Sequence, residues 1–482
     1  MGSLDDSRKT KIVCTMGPAS SGEQVMSRMI ETGMDVARLN FSHGDHASHA
    51  HTIQQLRRIS KHLNREIGIL QDLAGPKIRL GEVAGGPRDL KPGQDVILVE
   101  GDTAPGEELP VNYPYLLKDV KEFDRILLAD GLVELKVARI QETCINCKVV
   151  VGGAISSHKG VNLPTSSLRI PAFTEKDHVD LEMGLKAGVD FVAMSFVRHE
   201  NDLEPVREVI NHAAQRPLLI AKIEKPEAVE RFQQILAVVD GVMVARGDLG
   251  VEMPLAEVPV IQKSLIRQAR RAGKVVITAT QMLRSMIDNP RPTRAEATDV
   301  ANAILDGTDA VMLSEESAVG QYPVQAVQVL ESIAKATEPS LDAQPFLKEP
   351  FSKLLPLSEA AISRAACWLA EDIRPAAIVA STTSGNTARL IARFRSRFPV
   401  VGMTPSQSTC RQLNLSWGVI PSLIPHYEDT DEMFAMARTW VSAKGLAGEG
   451  DRLIITAGVP AGVPGTTNVV KVMDMDRRRD DD

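Results

Sequence analysis

The stretch VMVARGDLGVEMPL, Val242 to Leu255, runs as an apolar strand and then breaks into Arg-Gly-Asp-Leu-Gly. An apolar run of this length bounded by glycine reads as a parallel strand covered on both faces. Its carboxylate then emerges where the chain leaves the core, on an Asp-Leu-Gly that reads as a turn. The same pattern, a short apolar strand with a polar C-terminal end, recurs at 11–17 (KIVCTMG), 35–44, 67–75, 189–197, 218–226, 275–283 and 309–317, making eight. Most are separated by segments of helical spacing, such as AEVPVIQKSLIRQARRAG (256–273) and RAEATDVANAILDG (294–307). This alternation predicts an α/β chain built on a (β/α)8 TIM barrel.

Between 75 and 171 the rhythm changes. DVILVEG (95–101), RILLADGLVELKVARI (125–140) and CKVVVGGAI (147–155) alternate at period two, and Asp130-Gly131 is a hairpin turn signal. The reading is an inserted β-barrel domain over 75–171, dividing the main barrel into 1–74 and 172–345. After an aperiodic Pro- and Ser-containing stretch at 336–358, the βα pattern restarts: helix at 359–372, strand at 376–382, helix at 387–394, and strands at 399–404 and 452–458. That order predicts a C-terminal α/β domain, 346–482, with an open parallel sheet wrapped by helices.

Composition narrows the class of function. The chain has 482 residues, enough for two to four domains, and 43% hydrophobic but only 4% aromatic residues, which favours aliphatic packing between strands and helices. A net charge of −7 without a long basic run argues against a nucleic-acid surface. The N-terminal MGSLDDSRKTKIVCT lacks a signal-peptide core, and no stretch of about 18 apolar residues occurs, so the expectation is a cytoplasmic protein without membrane spans. Of the five cysteines, Cys144 and Cys147 form a CxxC with no second pair or nearby His to complete a zinc site, and they read as small apolar strand residues.

Active sites of such barrels gather at the C-terminal strand ends. Here those ends carry Arg38, Asn40, Ser42, Asp72, Ser195, Lys222, Glu224, Asp248, Thr280, Ser314 and Glu316. Glu224 and Asp248, on adjacent strands, suit a Mg2+ ion completed by substrate oxygens and water. Lys222 lies two residues before Glu224 and points to the same side, where an ammonium suits charge on a transferring phosphoryl group. Gly247 leaves room for a substrate beside backbone N–H groups. Singly, Lys-Ile-Glu is an ordinary solvated strand end; their convergence makes a site.

The motifs CTMGPAS, ARLNFSHG, GPKIRLG, KGVNLP, AKIEKP, VARGDLGVE, ATQML, RPTRAEATDVANAILDGTDAVMLSEESAVGQYP and GVPGTTN run in this order along nearly the whole chain. In this the chain resembles the pyruvate kinases. The resemblance implies transfer of the phosphoryl group of phosphoenolpyruvate to ADP, giving pyruvate and ATP, with Mg2+ (or Mn2+) as cofactor. It implies Glu224 and Asp248 as metal ligands. Lys222 would steady the transferring group, and Arg38 would hold phosphate. Gly247 and Asp248 would offer N–H groups to the substrate carboxylate, and Thr280 would end a proton relay. Arg79 and Lys159, with Asn40 and His43 nearby, fall at nucleotide positions, so the insert would be a lid closing cations over ADP.

Potassium-requiring relatives resemble Asp-Thr-Lys-Gly-Pro-Glu where this chain has Asp72-Leu73-Ala74-Gly75-Pro76-Lys77. With Asn40, Ser42 and Asp72 retained as oxygen ligands, the reading is that the Lys77 ammonium near Asp72 replaces K+, which is then not required. Glu315, in SEES (314–317), stands where many relatives have Gly. In the C-terminal domain, Thr382, Thr383, Ser384, Gly385 and Thr387 resemble a phosphate loop for a sugar-phosphate effector, paired with GVPGTTN, and the family commonly forms homotetramers. Two other classes differ in their chemistry. A metal-dependent aldolase has no need of Arg79, Lys159 or Lys222, and a non-catalytic sensor has no need of the strand-end residues.

Overall fold

The structure, a computed structural model, describes residues 8–166, 168–459 and 467–475. Lys11–Thr15, Val36–Asn40, Gly68–Asp72, Phe191–Met194, Leu218–Ile223, Gly241–Ala245, Val275–Ala279 and Ala310–Leu313 close into a parallel barrel. All eight strands expected from the sequence take part. Alternation divides each strand between two cores. Val13, Val36, Leu70, Ala193, Ile220, Met243, Ile277 and Met312 pack inside the barrel, while Ile12, Ala37, Ile69, Val192, Leu219, Val242 and Val276 face the surrounding helices. Two residues further along the inward series stand Thr15, Arg38, Asp72, Ser195 and Lys222, so the parity that fills the core also aims these polar groups into the mouth.

At the other end, the floor, an aspartate directly precedes four of the strands. Asp35, Asp190, Asp240 and Asp309 accept the N–H groups of Ile12, Ile69, Leu219 and Val276 on neighbouring strands, at 2.8, 2.7, 2.9 and 2.9 Å. Each ties one strand's start to the next and fixes barrel register.

The insert contains a six-stranded sheet with Val161–Asn162 at one edge and Leu109–Val111 at the other. The segment entering from the barrel joins those edges through bridges Arg79 to Gly160 and Leu80 to Val111. It has its own apolar core, which includes Cys147. Asp130-Gly131 turns the hairpin between Arg125–Leu128 and Val133–Ile140, and both residues have positive φ.

Two expectations are corrected here. The C-terminal sheet is not wholly parallel: Thr467–Asp474 pairs antiparallel with Arg452–Gly458 at its edge. The stretch 336–358 contains a short helix, Gln344–Lys348, and the next helix already begins at Leu357. The C-terminal α/β region, from Leu357 on, packs under the barrel floor, where Leu415 joins the barrel's interior core. Among the described residues no helix is long and apolar enough to cross a membrane.

Candidate active site

Lys222 stands at the centre of the mouth. Its Nζ lies 2.8 Å from Glu224 Oε1 and 3.4 Å from Asp72 Oδ1, and it donates to Ser195 Oγ at 2.7 Å. Burial alone would drive the ammonium toward its neutral form; the charges of Asp72 and Glu224 outweigh burial and hold Lys222 above the ordinary lysine range. Asp72 also takes Arg38 Nε at 2.6 Å. Burial opposes its ionisation, yet Lys222 and Arg38 keep it below the ordinary carboxylate range. Arg38 Nη1 is bonded to Thr15 Oγ1, and its Nη2 has no protein acceptor among the described residues.

Asp248, unlike Glu224, has no ion pair among the described residues. Glu224 Oε2 accepts the Phe196 N–H at 2.8 Å. Burial, followed by the charge of Glu224, pushes Asp248 up to about 6 despite Lys222 and Lys77. Two carboxylates repelling each other at the mouth, Glu224 buried and Asp248 open to the cleft, fit a divalent cation, with the remaining ligands supplied by substrate oxygens and water. No cluster of three or more His, Cys, Asp or Glu side chains offers a closed protein cage among the described residues.

Arg246–Glu252 is a short helix starting where the strand ends, and not the turn that its Asp-Leu-Gly suggested. Gly247 N–H is already engaged, donating to Thr280 Oγ1 at 2.7 Å, while the Thr280 hydroxyl donates to Ala279 O. Thr280 has φ +64° and Gln281 +55°. A β-branched residue in that region is strained and needs its surroundings to hold it. Arg246 does this: it reaches Ala279 O and Thr280 O and is anchored on Asp299 at 2.7 Å. Glu316, buried, accepts the N–H groups of Leu283 and Ser314 from the adjoining loops. Glu315 is exposed and its backbone does not have positive φ, so glycine's freedom is not required there.

A cleft of about 420 Å³ leads from Asp248 and His43 on the barrel to Arg79, Asp130 and Lys159 on the insert. Lys77 lines it, but the expected contact with Asp72 is absent: Asp72 pairs with Arg38 and Lys222, and Lys77 forms no ion pair among the described residues. Burial, and then the cations Lys222 and Arg79, lower the affinity of Lys77 for its proton, against the pull of Asp72 and Asp248. Asn40 Oδ1 is taken by the Ser42 N–H at 3.1 Å. His43 is depressed by burial and by Lys77, Arg79 and Arg38. Arg79 Nη1 reaches only His158 O, and Lys159 is exposed.

One connection across the cleft went unread in the sequence. Glu252 Oε1 accepts Lys225 Nζ at 2.6 Å and, from the insert, Asn162 Nδ2 at 2.9 Å. It links the helix of Asp248 to the returning strand of the insert. All three residues lie within motifs already singled out, but nothing in their spacing joins them.

In the C-terminal half, Thr382 Oγ1 accepts the Gly385 N–H, and Thr387 Oγ1 shares a hydrogen bond with Thr467 Oγ1. Thr383 and Ser384 are exposed. Residues 462–466 of the paired GVPGTTN loop lie outside the described residues.

Fold and mouth together define a (β/α)8-barrel enzyme whose charged strand ends are roofed by an inserted β domain. Comparison with known proteins gives the particular family. The pattern described as "Pyruvate kinase, barrel domain" matches residues 7–327 and "Pyruvate kinase, alpha/beta domain" residues 360–473. The chain is 45% identical to the pyruvate kinase of Geobacillus stearothermophilus over 96% of its own length and 80% of that protein's. It is 43% identical to that of Clostridium perfringens, over 96% and 99%. The crystal structure of a pyruvate kinase from Cryptosporidium parvum superposes with a TM-score of 0.92 at 36% identity, covering 98% of this chain and 97% of that one. The chain belongs to the pyruvate kinase family and is a phosphotransferase.

Proposed function

We propose that this enzyme transfers the phosphoryl group of phosphoenolpyruvate to ADP at the barrel mouth. The observation that carries the reading is the cluster of Arg38, Asp72, Lys222 and Glu224 at the barrel mouth, beside a cleft that runs from Asp248 to Arg79 and Lys159. Glu224 and Asp248 would hold Mg2+, or Mn2+ in its place; when bound, the ion supplies positive charge for substrate oxygens. Arg38, with Nη2 open, binds the substrate phosphate. An ADP oxygen attacks phosphorus, the bond from phosphorus to the enol oxygen breaks, and the Lys222 ammonium offsets the charge that builds on both fragments. The enolate left behind takes a proton at its methylene carbon through a relay ending at Thr280, whose hydroxyl must first turn from Ala279 O. Gly247 must likewise release Thr280 Oγ1 before its N–H serves a substrate carboxylate. Arg79 and Lys159, with Asn40 and His43 at the cleft, serve the nucleotide phosphates, and closure of the insert excludes water.

The same proposal assigns Lys77, which feels the charges of Asp72 and Asp248 without pairing with Asp72, as the charge that makes potassium unnecessary, with Asn40, Ser42 and Asp72 around the position of the ion. It takes the exposed Thr383 and Ser384, with Thr382, Gly385 and Thr387 shaping their loop, as the contact for a sugar-phosphate effector on a cytoplasmic homotetramer. The test is ATP formation from phosphoenolpyruvate and ADP in tetramethylammonium buffer with Mg2+ and no potassium, sodium or ammonium. Full activity is expected. Inert enzyme that potassium restores overturns the potassium reading and leaves the transferase reading standing; inert enzyme with potassium present overturns both.

A further inference from the structure

Beneath the barrel floor, against the C-terminal half, lies a second concentration of charge with no part in phosphoryl transfer. Arg270, Arg389, Arg393 and Arg395, with Lys274, line a small cavity together with Asp309 and Ser416. Arg270, Arg393 and Arg395 are 3%, 6% and 2% exposed, so water does not screen them. Their carboxylate partners are too few. Arg270 takes Glu349 at 2.7 Å and Arg395 takes Asp309 at 3.1 Å. Among the described residues Arg393 donates only to the carbonyl of Arg271, Arg389 only to that of Ser384, and Lys274 only to Val239 O.

The hydrogen-bond inventory points the same way. Arg270 Nε, Arg389 Nη1, Arg393 Nε, Arg393 Nη2 and Arg395 Nε are buried and reach no acceptor among the described residues. A guanidinium does not shed its proton in a protein, so an excess of buried guanidinium charge calls for an anion. Burial, the leading cause, depresses Arg393 to about 10, with the Arg270 charge next. Burial likewise lowers Arg270, Arg389, Arg395 and Lys274. Size fixes the class of ligand. The cavity leaves about 10 Å³ for the centre of a water-sized sphere, which is room for one small body and not for a phosphate.

We propose that this cavity binds one monatomic anion, chloride in solution, between the guanidinium groups of Arg270, Arg389, Arg393 and Arg395. The ion would neutralise a seam that otherwise repels itself, and so would fasten the barrel floor to the C-terminal half.

Two measurements test it. Crystals of the full-length enzyme grown in sodium bromide should show an anomalous peak in the cavity. Ordinary water density there, an empty cavity, or a partner subunit's carboxylate in its place overturns the proposal. In solution, Tm at constant ionic strength should be higher in chloride than in gluconate, by about 5 °C once chloride exceeds its Kd about a hundredfold. Arg393→Met should lose that difference while its Tm in gluconate stays at or above wild type. If Arg393 is only a structural arginine, the variant instead melts lower by the same amount in both salts, and the site is refuted.

Discussion

The two ends of the barrel are both crowded with charge, and they use it differently. At the floor, carboxylates paired with arginines are bonded to the backbone as well: Asp35, Asp190, Asp240 and Asp309 each hold a neighbouring strand's N–H beside Arg8, Arg57, Arg216 and Arg395, and the C-terminal α/β region adds Lys11 Nζ on Val419 O, Asn414 Nδ2 on Glu66 O and Leu415 in the barrel core. At the mouth, Asp72, Glu224 and Lys222 are bonded mainly to one another's side chains, above an open cleft. Charge tied to backbone fixes register and cannot leave without breaking a strand pair. Charge tied to side chains can exchange its partner for a substrate oxygen. The same residue types thus serve structure at one end and chemistry at the other.

Substitutions at the two ends should therefore separate cleanly, and four of them test the contrast in falling order of effect. Lys222→Met should lower kcat by about 10³-fold or more, with phosphoenolpyruvate binding, read by fluorescence or calorimetry, changed far less. Turnover near wild type would place Lys222 among the structural charges. Lys77→Glu should cost about 100-fold in potassium-free buffer, a loss of a few kcal/mol of charge stabilisation, and added potassium should recover part of it; indifference to the substitution would remove Lys77 from the site. Asn162→Ala, which cuts one hydrogen bond from insert to Glu252, should reduce kcat/KM for ADP by about tenfold with little change in Tm. A fall in Tm without a change in KM would make that contact a fastening and not part of closure.

The smallest effect on activity belongs to the floor. Burial, the largest influence, depresses Lys11 from 10.5 to about 8, with Asp35 and Glu338 pulling the other way and Arg8 and Arg65 adding to the depression. Between pH 8 and 10.5 the unfolded chain still carries a proton that the folded chain has released, so stability rises with pH across that window and the burial cost is greatest below it. Lys11→Met should flatten that rise, on the order of 3 kcal/mol, in denaturant titrations at the two pH values, with kcat unchanged at neutral pH. An equally steep rise in the variant would assign it to other groups.

How much of this was legible in the sequence follows from the reach of each signal. Strand parity is local, so the eight barrel strands and the inward aim of Arg38, Asp72 and Lys222 could be read from two-residue spacing. Contacts between distant segments could not: Glu252 meets Asn162 and Lys225 only because the insert folds back over the helix of Asp248. Direction was also hidden where a side chain is long, and so Lys77, placed beside Asp72 by proximity in the chain, forms no ion pair among the described residues while Arg38 and Lys222 take that carboxylate. The helix at Arg246–Glu252 was missed because a carboxylate between two glycines, Gly247-Asp248-Leu249-Gly250, looks like a turn. Its support comes from Arg246, Asp299 and Thr280. The floor did leave a signal that went unused: an aspartate immediately before an apolar run, at 35, 190, 240 and 309, repeated like a punctuation mark.

The bridges Arg79 to Gly160 and Leu80 to Val111 have a consequence for anyone who would cut the insert out or graft it elsewhere. The piece of chain that carries the insert away from the barrel is also the stave that completes its sheet. An excised insert starting after Leu80 would expose two raw edges, at Leu109–Val111 and Val161–Asn162, ready to pair with those of another molecule. One starting before Ile78 keeps them sealed. For the closure proposed above, the two bridges tie the entry segment to both edges of the sheet, so the insert would turn as one body about the chain on either side of it.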